Sequence, residues 1–255
     1  MDLVLERISK IFPGIGGCES VEVLKDFSCF INGGSLLSIV GPSGCGKTTI
    51  LRIIAGLEKA SSGRVLFGVG EAEPGEKPLV GLVFQDYALF PWRTTLGNIT
   101  AGLEFMGVPL KERLAKGMEY VSAFGLDGFE NRYPKELSGG MKQRVAIART
   151  LIMEPGVVLM DEPFGSLDSQ TRNSMQEFLA GLWEERRDTI IFVTHNVDEA
   201  VFLSDDIIVL TSRPARVIER VKVLCKRPRD RTGIECNTIR RSVLDILGRE
   251  SSKLG

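Results

Sequence analysis

Nine residues with the sequence GPSGCGKTT occupy positions 41–49, between an apolar run, LLSIV, and an apolar-periodic stretch, ILRIIAGL. Their spacing fits the pattern GxxxxGK[ST], which binds phosphate when it joins a strand to a helix. Three glycines let successive backbone N–H groups point inward, and the helix N-terminus adds a partial positive charge. The sequence therefore predicts a polyphosphate site formed by Gly41, Pro42, Ser43, Gly44, Cys45, Gly46, Lys47, Thr48 and Thr49.

Two side chains of this stretch have separate expected tasks. Lys47 should bridge the β- and γ-phosphates of a nucleotide, and the Thr48 hydroxyl should bind Mg²⁺. The structural alternative is an ordinary glycine-rich turn between a strand and a helix. The order of strand, motif and helix favours the phosphate site.

Two adjacent carboxylates, Asp161 and Glu162, follow the apolar run VVLM. Neighbouring residues on a strand point to opposite sides, so the two carboxylates cannot do the same job. Phosphoryl transfer needs charge neutralisation and a group that orients the attacking water. We therefore predict that Asp161 binds the metal and that Glu162 faces the nucleotide. A surface acidic pair is the alternative, but it would not normally end a buried strand.

The single histidine of the chain, His195, follows a short apolar run in FVTHNVDEA. Its local neighbours alone favour a buried ring with one hydrogen bond. However, they also predict a strand from Thr189 to Thr194, and a residue just past the carboxyl end of a strand faces the ligand crevice of an open α/β sheet. We therefore predict that His195 belongs to a functional site.

Composition excludes several classes of protein. With 32 basic and 33 acidic residues in 255, no broad positive field is available to bind nucleic acid. The five cysteines show no CxxC or Cys/His spacing, which indicates a reducing compartment and no zinc site. No apolar run approaches the 18 or so residues that span a bilayer, so we expect a chain that is neither exported nor membrane-spanning by itself.

Short β-rich runs alternate with helical patterns, which is typical of an α/β sheet. Predicted buried strands are Leu36–Val40, Leu79–Phe84, Val157–Asp161, Thr189–Thr194 and Asp206–Thr211. The first 35 residues alternate instead, and with RVLF at 64–67 they predict an antiparallel sheet. A helical insertion is expected between about Tyr87 and Ile152. After Val223 we expect a tail whose basic run KRPRDR is solvated, although flanking Cys225 and Cys236 leave a ligand sensor as the alternative.

The stretch LSGGMKQR at 137–144 opens a helix and closely resembles the LSGGQ signature of the ATP-binding-cassette family. The resemblance covers about residues 1–223, with every family motif in order. Gln85 resembles the Q-loop, SLD at 166–168 the D-loop with Asp168, and His195 the switch histidine. Phe12 resembles the aromatic residue that stacks on adenine, although a core phenylalanine is the alternative.

This resemblance implies an α/β fold with a P-loop NTPase (RecA-like) core, an N-terminal antiparallel β subdomain and an inserted helical subdomain at about 87–152. Residues 224–255 would form a short tail without a regulatory domain. The implied activity is ATP hydrolysis, with ATP and Mg²⁺ as ligands. The implied catalytic residues are Glu162, His195, Lys47 and Gln85, and the implied metal ligands are Thr48, Gln85 and Asp161. His195 would contact the γ-phosphate.

The signature also implies a partner. Ser138, Gly139 and Gly140 offer a hydroxyl, backbone N–H groups and a helix dipole, and the family places them across a dimer interface. A second copy of the chain, or a related cassette, would sandwich two ATP molecules with it. Met141 replaces the usual glutamine, but the backbone donors survive that change.

Three stretches, at 73–99, 161–168 and 197–223, resemble the ATP-binding subunits of nitrate, sulfonate and taurine importers. The implied partners are a membrane permease, contacting about residues 87–105, and indirectly a substrate-binding protein; the implied location is the cytoplasmic face of the inner (plasma) membrane. The large side chains of Tyr87, Leu89, Phe90, Pro91 and Trp92 suit such a contact, or alternatively pack the insertion onto the core.

Two other functions compete with import. A cassette ATPase of DNA repair or chromosome maintenance usually separates its two phosphate-site motifs by long coiled coils or zinc modules. Here Lys47 and Asp161 are 114 positions apart without sustained heptads, and the net charge is −1. The ATPase of a lipoprotein or peptide exporter is the second alternative.

Overall fold

A computed structural model describes residues 1–14, 19–68 and 78–251. The predicted Gly/Pro-rich turn after the first strand, the start of the 73–99 stretch and the end of the tail lie partly outside these described residues. The chain divides into two compact units, Met1–Pro78 with Leu182–Gly255, and Leu79–Gly181. Within the described ranges, no helix has the length and apolar character needed to cross a membrane.

The strands are β1 Leu3–Phe12, β2 Val21–Ile31, β3 Leu36–Val40, β4 Ser62–Phe67, β5 Val80–Val83, β6 Val157–Asp161, β7 Ile190–Thr194, β8 Asp206–Leu210 and β9 Val217–Lys222. The α-helices are α1 Lys47–Ala55, α2 Thr95–Ile99, α3 Ala101–Phe105, α4 Leu110–Ala123, α5 Gly139–Leu151, α6 Ser169–Arg186, α7 Val197–Leu203 and α8 Ile234–Ser251. A 3₁₀ turn covers Pro134–Glu136.

The first unit contains the predicted antiparallel sheet, in the order β2-β1-β4. The register pairs Leu3 with Ile31 on one side and with Phe67 on the other. Alternate residues of β1, among them Leu5, are buried, so one face of the sheet covers a core and the other faces solvent. The antiparallel N-terminal sheet is therefore confirmed.

The parallel strands of the first unit position its predicted site. Strand β3 lies between β7 and β8 and runs parallel to both, whereas β9 runs antiparallel to β8. All residues of β3, β7 and β8 are buried, as expected for parallel strands covered on both faces. Val40 pairs with Thr194, so β3 and β7 end at the same edge. The α/β class is confirmed.

The second unit contains the parallel pair β5 and β6, with Val83 opposite Met160. Helices α2 to α5 occupy the stretch predicted to be helical. The longest of them, α4, has 14 residues. Both strands end at the same edge of the pair. Gln85 lies two residues after the end of β5, and Glu162 directly follows β6.

The prediction of a solvated C-terminal charge run is wrong for Arg229, whereas Lys226 of the same run is exposed. Arg229 is 9% exposed, and its guanidinium donates to the carbonyl oxygens of Cys225, Val201 and Phe202 at 3.1, 2.9 and 3.1 Å. Two of these carbonyls lie in the last turn of α7, where helix carbonyls lack intrahelical partners. Burial lowers the pKa of Arg229. Sequence shows the charge but not the carbonyls that accept its hydrogen bonds.

The segment after β9 also forms part of the core of its unit. Helix α8 packs against α7, and its fully buried Val243 belongs to a core cluster that includes Val223, Cys225 and Cys236. The segment IRRSVLDIL at 239–247 thus lies within an 18-residue helix whose inner face includes Val243.

Candidate nucleotide-binding and hydrolysis site

The phosphate loop of the first unit requires glycine at two positions. Gly46 precedes α1 with a φ of 124°, and a Cβ there would lie 2.8 Å from Val23 Cγ1 and 2.9 Å from Leu24 Cδ2. Gly44 has a φ of 72°, a left-handed conformation that favours glycine. The loop therefore bends tightly into the N-terminus of α1, where backbone N–H groups and the helix dipole attract anions.

Lys47 is 5% exposed and its ammonium lies over the loop. Nζ donates to the carbonyl oxygens of Gly41 at 2.9 Å and Pro42 at 3.0 Å. Two hydrogen bonds thus hold a positive charge within the phosphate loop. This position suits the predicted contact with phosphate oxygens.

Two further groups border the loop. Arg213, from the segment after β8, donates to the Gly44 carbonyl oxygen at 2.7 Å and brings a second cation to the loop. Arg213 was not predicted from the sequence, because no local pattern in SRPAR at 212–216 indicates contact with the phosphate loop. Cys45 is buried, and burial raises the pKa of its thiol. Cys45 is therefore a neutral packing residue of the loop rather than a nucleophile.

His195 lies at the edge of the parallel sheet, beside the phosphate loop. It directly follows Thr194, which pairs with Val40, the residue before Gly41. Its side chain is exposed, so the buried-ring alternative is wrong. The next residue, Asn196, caps α7 by accepting the N–H of Asp198 at 2.9 Å.

Phe12 ends β1 and is 36% exposed, so it is not a core phenylalanine. Lys10 Nζ lies 4.7 Å from the centre of its ring. An exposed aromatic face with a nearby ammonium can stack on a base or on another planar ring.

In the second unit, the side chains of Glu162 and Gln85 both approach Gly165. A Cβ added to Gly165 would lie 3.7 Å from Glu162 Oε2 and 3.9 Å from Gln85 Nε2. Asp161 is the last residue of β6 and is partly buried. Glu162 has a φ of 44°, a strained conformation for a side-chain-bearing residue and one that is frequent at functional sites.

The turn after Glu162 is shaped by residues of α6. Arg172 donates to the carbonyl oxygens of Phe164 at 3.3 Å and Leu167 at 2.7 Å. Asp168 accepts the N–H groups of Gln170 and Thr171 at 3.1 Å, so it caps α6. Hydrogen bonds from Thr171 and from these N–H groups lower the pKa of Asp168.

The signature segment forms the start of α5. Ser138 is its N-cap and accepts the N–H of Met141 at 3.3 Å. Ser138 and Gly139 are exposed, as an intermolecular contact would require. Gly140 is buried, and a Cβ there would lie 2.8 Å from Thr171 Cγ2. Gly140 therefore also allows α5 to pack closely on α6.

The segment after Gln85 contains a strained turn that sequence reasoning did not foresee. Tyr87 and Ala88 have φ values of 60° and 46°. Arg149 of α5 donates to both of their carbonyl oxygens, at 2.8 and 2.7 Å. The Tyr87 hydroxyl lies 2.6 Å from Ser166 Oγ, which connects this turn to the turn after Glu162. A lone arginine inside a helix gave no sequence signal for this role.

Beyond that turn lies an apolar surface. A groove of 390 Å³ is lined mainly by apolar side chains, including Phe84, Phe90, Phe105 and Met153. Trp92 and Phe105 are 71% and 72% exposed. Trp92 therefore does not pack the helical insertion onto the core, contrary to the structural alternative for this residue. Exposed aromatics beside an apolar groove are typical of a protein interface.

The phosphate loop, its buried lysine and the parallel sheet that ends beside them define a P-loop nucleotide-binding protein. Residues 24–165 match the ABC transporter family. The chain is 40% identical over 245 residues to the aliphatic sulfonates import ATP-binding protein of Bacillus cereus, covering 96% of this chain and 95% of that protein. It is 46% identical over 222 residues to the taurine import ATP-binding protein of Pseudomonas putida, covering 87% and 82%.

Among solved structures, the fold resembles the dimeric post-hydrolysis state of the ATP-binding cassette MJ0796 bound to ADP and Pi. The TM-score is 0.73 at 32% identity, covering 88% of this chain and 100% of that chain. The chain thus belongs to the ABC transporter family, and it is an ATPase of that family.

Proposed function

We propose that this chain is the ATP-hydrolysing subunit of a membrane importer for sulfonates, taurine, nitrate or similar small anions. The observation that carries the proposal is the exposed aromatic segment of the second unit, in which Trp92 and Phe105 lie beside an apolar groove. Relatives named for sulfonate and taurine import support the substrate class. The subunit would act at the cytoplasmic face of the plasma membrane, where ATP is available.

In the proposed chemistry, each residue has one task. Lys47 and the N–H groups of the phosphate loop hold the β- and γ-phosphates, and Phe12 stacks on adenine. Glu162 orients or deprotonates the attacking water, and Gln85 helps to position it. His195 contacts the γ-phosphate. All these groups stabilise charge or fix geometry, which is the main contribution a protein makes to phosphoryl transfer.

A magnesium ion fits the chemistry of the proposed ligands. Thr48, Gln85 and Asp161 offer a hydroxyl, an amide and a carboxylate oxygen, and Mg²⁺ prefers oxygen ligands. When bound, the ion would neutralise charge on the transferred phosphoryl group. A competition between Mg²⁺ and Mn²⁺ during ATP turnover, repeated with Asp161→Asn, tests this assignment. Unchanged metal dependence in the variant would contradict it.

A second copy of the chain would complete the site. Ser138 and Gly139 are exposed at the N-terminus of a 13-residue helix and could contact the γ-phosphate held by a partner's phosphate loop. The dimeric post-hydrolysis state of the related cassette supports this pairing. Asp168, which caps α6 in one chain, would lie in the same interface.

The permease would dock on the segment from about residue 87 to 105. Docking of an apolar helix into the groove would bury Trp92 and Phe105, and such aromatic anchors usually dominate interface energy. The turn at Tyr87 and Ala88 connects this surface to Gln85. A substrate-binding protein would act only through the permease.

The docking proposal is tested with Trp92→Ala and Phe105→Ala, each co-expressed and co-purified with the permease subunits. We expect each variant to lose most permease binding, since an anchor of this kind contributes about 2 kcal/mol or more. Leu224→Ala is a matched control because Leu224 is 81% exposed and belongs to the other unit. Normal assembly and transport by Trp92→Ala would contradict the proposal.

The substrate class is tested with the same complex in vesicles. We expect uptake and stimulated ATP hydrolysis with taurine, an alkanesulfonate or nitrate, and not with a neutral sugar. Outward movement of a lipoprotein or peptide would instead favour an exporter. The alternative role in DNA maintenance is not favoured, because the described helices between Lys47 and Asp161 have at most 14 residues.

A further inference from the structure

We propose that Thr194 and Glu199 are positioning residues that hold His195 in place for ATP hydrolysis. The Thr194 hydroxyl donates to Glu199 Oε2 at 2.6 Å and accepts the N–H of Asn196 at 3.0 Å. We call Thr194 and Glu199 the His195 clamp. The inference rests on the proposed role of His195 at the γ-phosphate.

The hydrogen bonds of the clamp fix the backbone on both sides of His195. Thr194 ends β7, His195 follows it, and Asn196 caps α7. The bond from the Asn196 N–H back to the Thr194 hydroxyl closes a turn with His195 at its centre. The second bond, to Glu199, ties that turn to the first turn of α7. The backbone on both sides of His195 is thereby fixed to one strand and one helix.

The two hydrogen bonds depend on each other. A hydroxyl has one proton to donate and two lone pairs that accept. Because the proton points to Glu199, the hydroxyl is oriented so that a lone pair can accept the N–H of Asn196. A bond to a carboxylate is stronger than one between neutral groups, and the 2.6 Å distance agrees with this. Loss of the carboxylate would free the hydroxyl to rotate and would loosen the turn.

The burial of the clamp contrasts with the exposure of the residue it holds. Thr194 is 1% exposed and Glu199 is 4% exposed, whereas the side chain of His195 is exposed. Burial of a carboxylate costs free energy unless hydrogen bonds compensate for it. A buried polar pair beneath an exposed functional residue is therefore suited to positioning.

The first experiment removes the hydroxyl with Thr194→Val and restores it with Thr194→Ser. We expect kcat for ATP hydrolysis to fall by about 10- to 100-fold in the valine variant, because small displacements of catalytic groups cost that much. KM for ATP should stay within about twofold, since the phosphate loop is unchanged. The serine variant should recover most of the loss. Parental kcat in Thr194→Val would overturn the proposal.

Thr189→Val is the matched control. Thr189 lies just before the other end of β7, is 2% exposed, and its hydroxyl bonds to the Met1 carbonyl oxygen and accepts the Gly34 N–H. We expect this variant to lose stability like Thr194→Val but to keep parental kcat. An equal loss of kcat in both valine variants would mean a structural effect only and would overturn the proposal.

A spectroscopic readout reports on His195 directly, because it is the only histidine of the chain. We expect the imidazole resonances to shift and broaden in Thr194→Val and to remain parental in Thr189→Val. Glu199→Met should reproduce the spectrum of Thr194→Val, and the double variant should lose no more activity than either single variant. Unmoved imidazole resonances in Thr194→Val would overturn the clamp.

His195→Ala separates the two proposals. If His195→Ala hydrolyses ATP at the parental rate, the role proposed for His195 fails, and the clamp fails with it. If His195→Ala is impaired but Thr194→Val is not, only the clamp fails. If the complex of the unmodified chain hydrolyses ATP but imports none of the small anions, the importer proposal fails and the clamp proposal does not.

Discussion

Replacement of Arg149 by leucine should release the strained turn at Tyr87 and Ala88. A left-handed non-glycine residue costs about 1–2 kcal/mol, and a hydrogen bond from a charged donor contributes about 1.5–3 kcal/mol. The two bonds from Arg149 therefore exceed the strain of the two residues by roughly 1–2 kcal/mol. Without them the turn is disfavoured by about 2–4 kcal/mol, which is more than a tenfold loss of population.

Amide hydrogen exchange and permease-stimulated ATP hydrolysis both measure this release. In Arg149→Leu we expect exchange at residues 87–90 to accelerate at least about tenfold and the stimulation by the permease to be lost. Arg144→Leu is the control, because Arg144 lies on the same helix and donates to the Phe124 carbonyl oxygen at 3.0 Å. Unchanged exchange in Arg149→Leu, or equal acceleration in the control, would mean that the hydrogen bonds from Arg149 do not hold this turn.

Three further predictions concern single side chains. Tyr87→Phe removes the contact with Ser166 and should lower permease stimulation about fivefold, whereas Tyr120→Phe should not; equal stimulation in both would contradict this. Gly46→Ala should abolish binding of an ATP analogue in a titration, because its Cβ would overlap neighbouring side chains, and parental affinity would disprove the loop geometry. The lowered pKa of Asp168 means that its stabilisation is present at neutral pH and lost as the pH falls through the folded-state pKa. The Tm of Asp168→Asn should therefore fall less between about pH 5 and 3 than the Tm of the parent. An equal fall in both proteins would exclude this contribution of Asp168.

Local sequence patterns predicted much of the fold. The bounds of β3 and β6 agree with the expected strands, and β5, β7 and β8 differ by one residue at their ends. These strands are continuous apolar runs, because parallel strands are buried on both faces. Strand β9 was not predicted as a strand, because most of its residues are exposed at the sheet edge and its sequence VIERVK is half charged.

The phosphate loop was also predictable, since its glycines, lysine and threonine are contiguous. The residues that support the site were not. Arg213, Arg149 and Glu199 each bond to groups that are distant in sequence or on another element, and nothing in their neighbours indicates the partner. The buried Arg229 shows the same limit, because a cationic run looks solvated until the carbonyls of α7 are placed beside it.

We propose that Glu162 is required for hydrolysis of ATP held between two copies of this chain. The most direct measurement combines light scattering with phosphate release for Glu162→Gln in the presence of MgATP. We expect a shift from the 28.0 kDa monomer to a dimer of twice that mass, with no phosphate released. Phosphate release at the parental rate would contradict the role of Glu162, and a variant that binds ATP yet stays at the monomer mass would contradict the ATP-bound dimer.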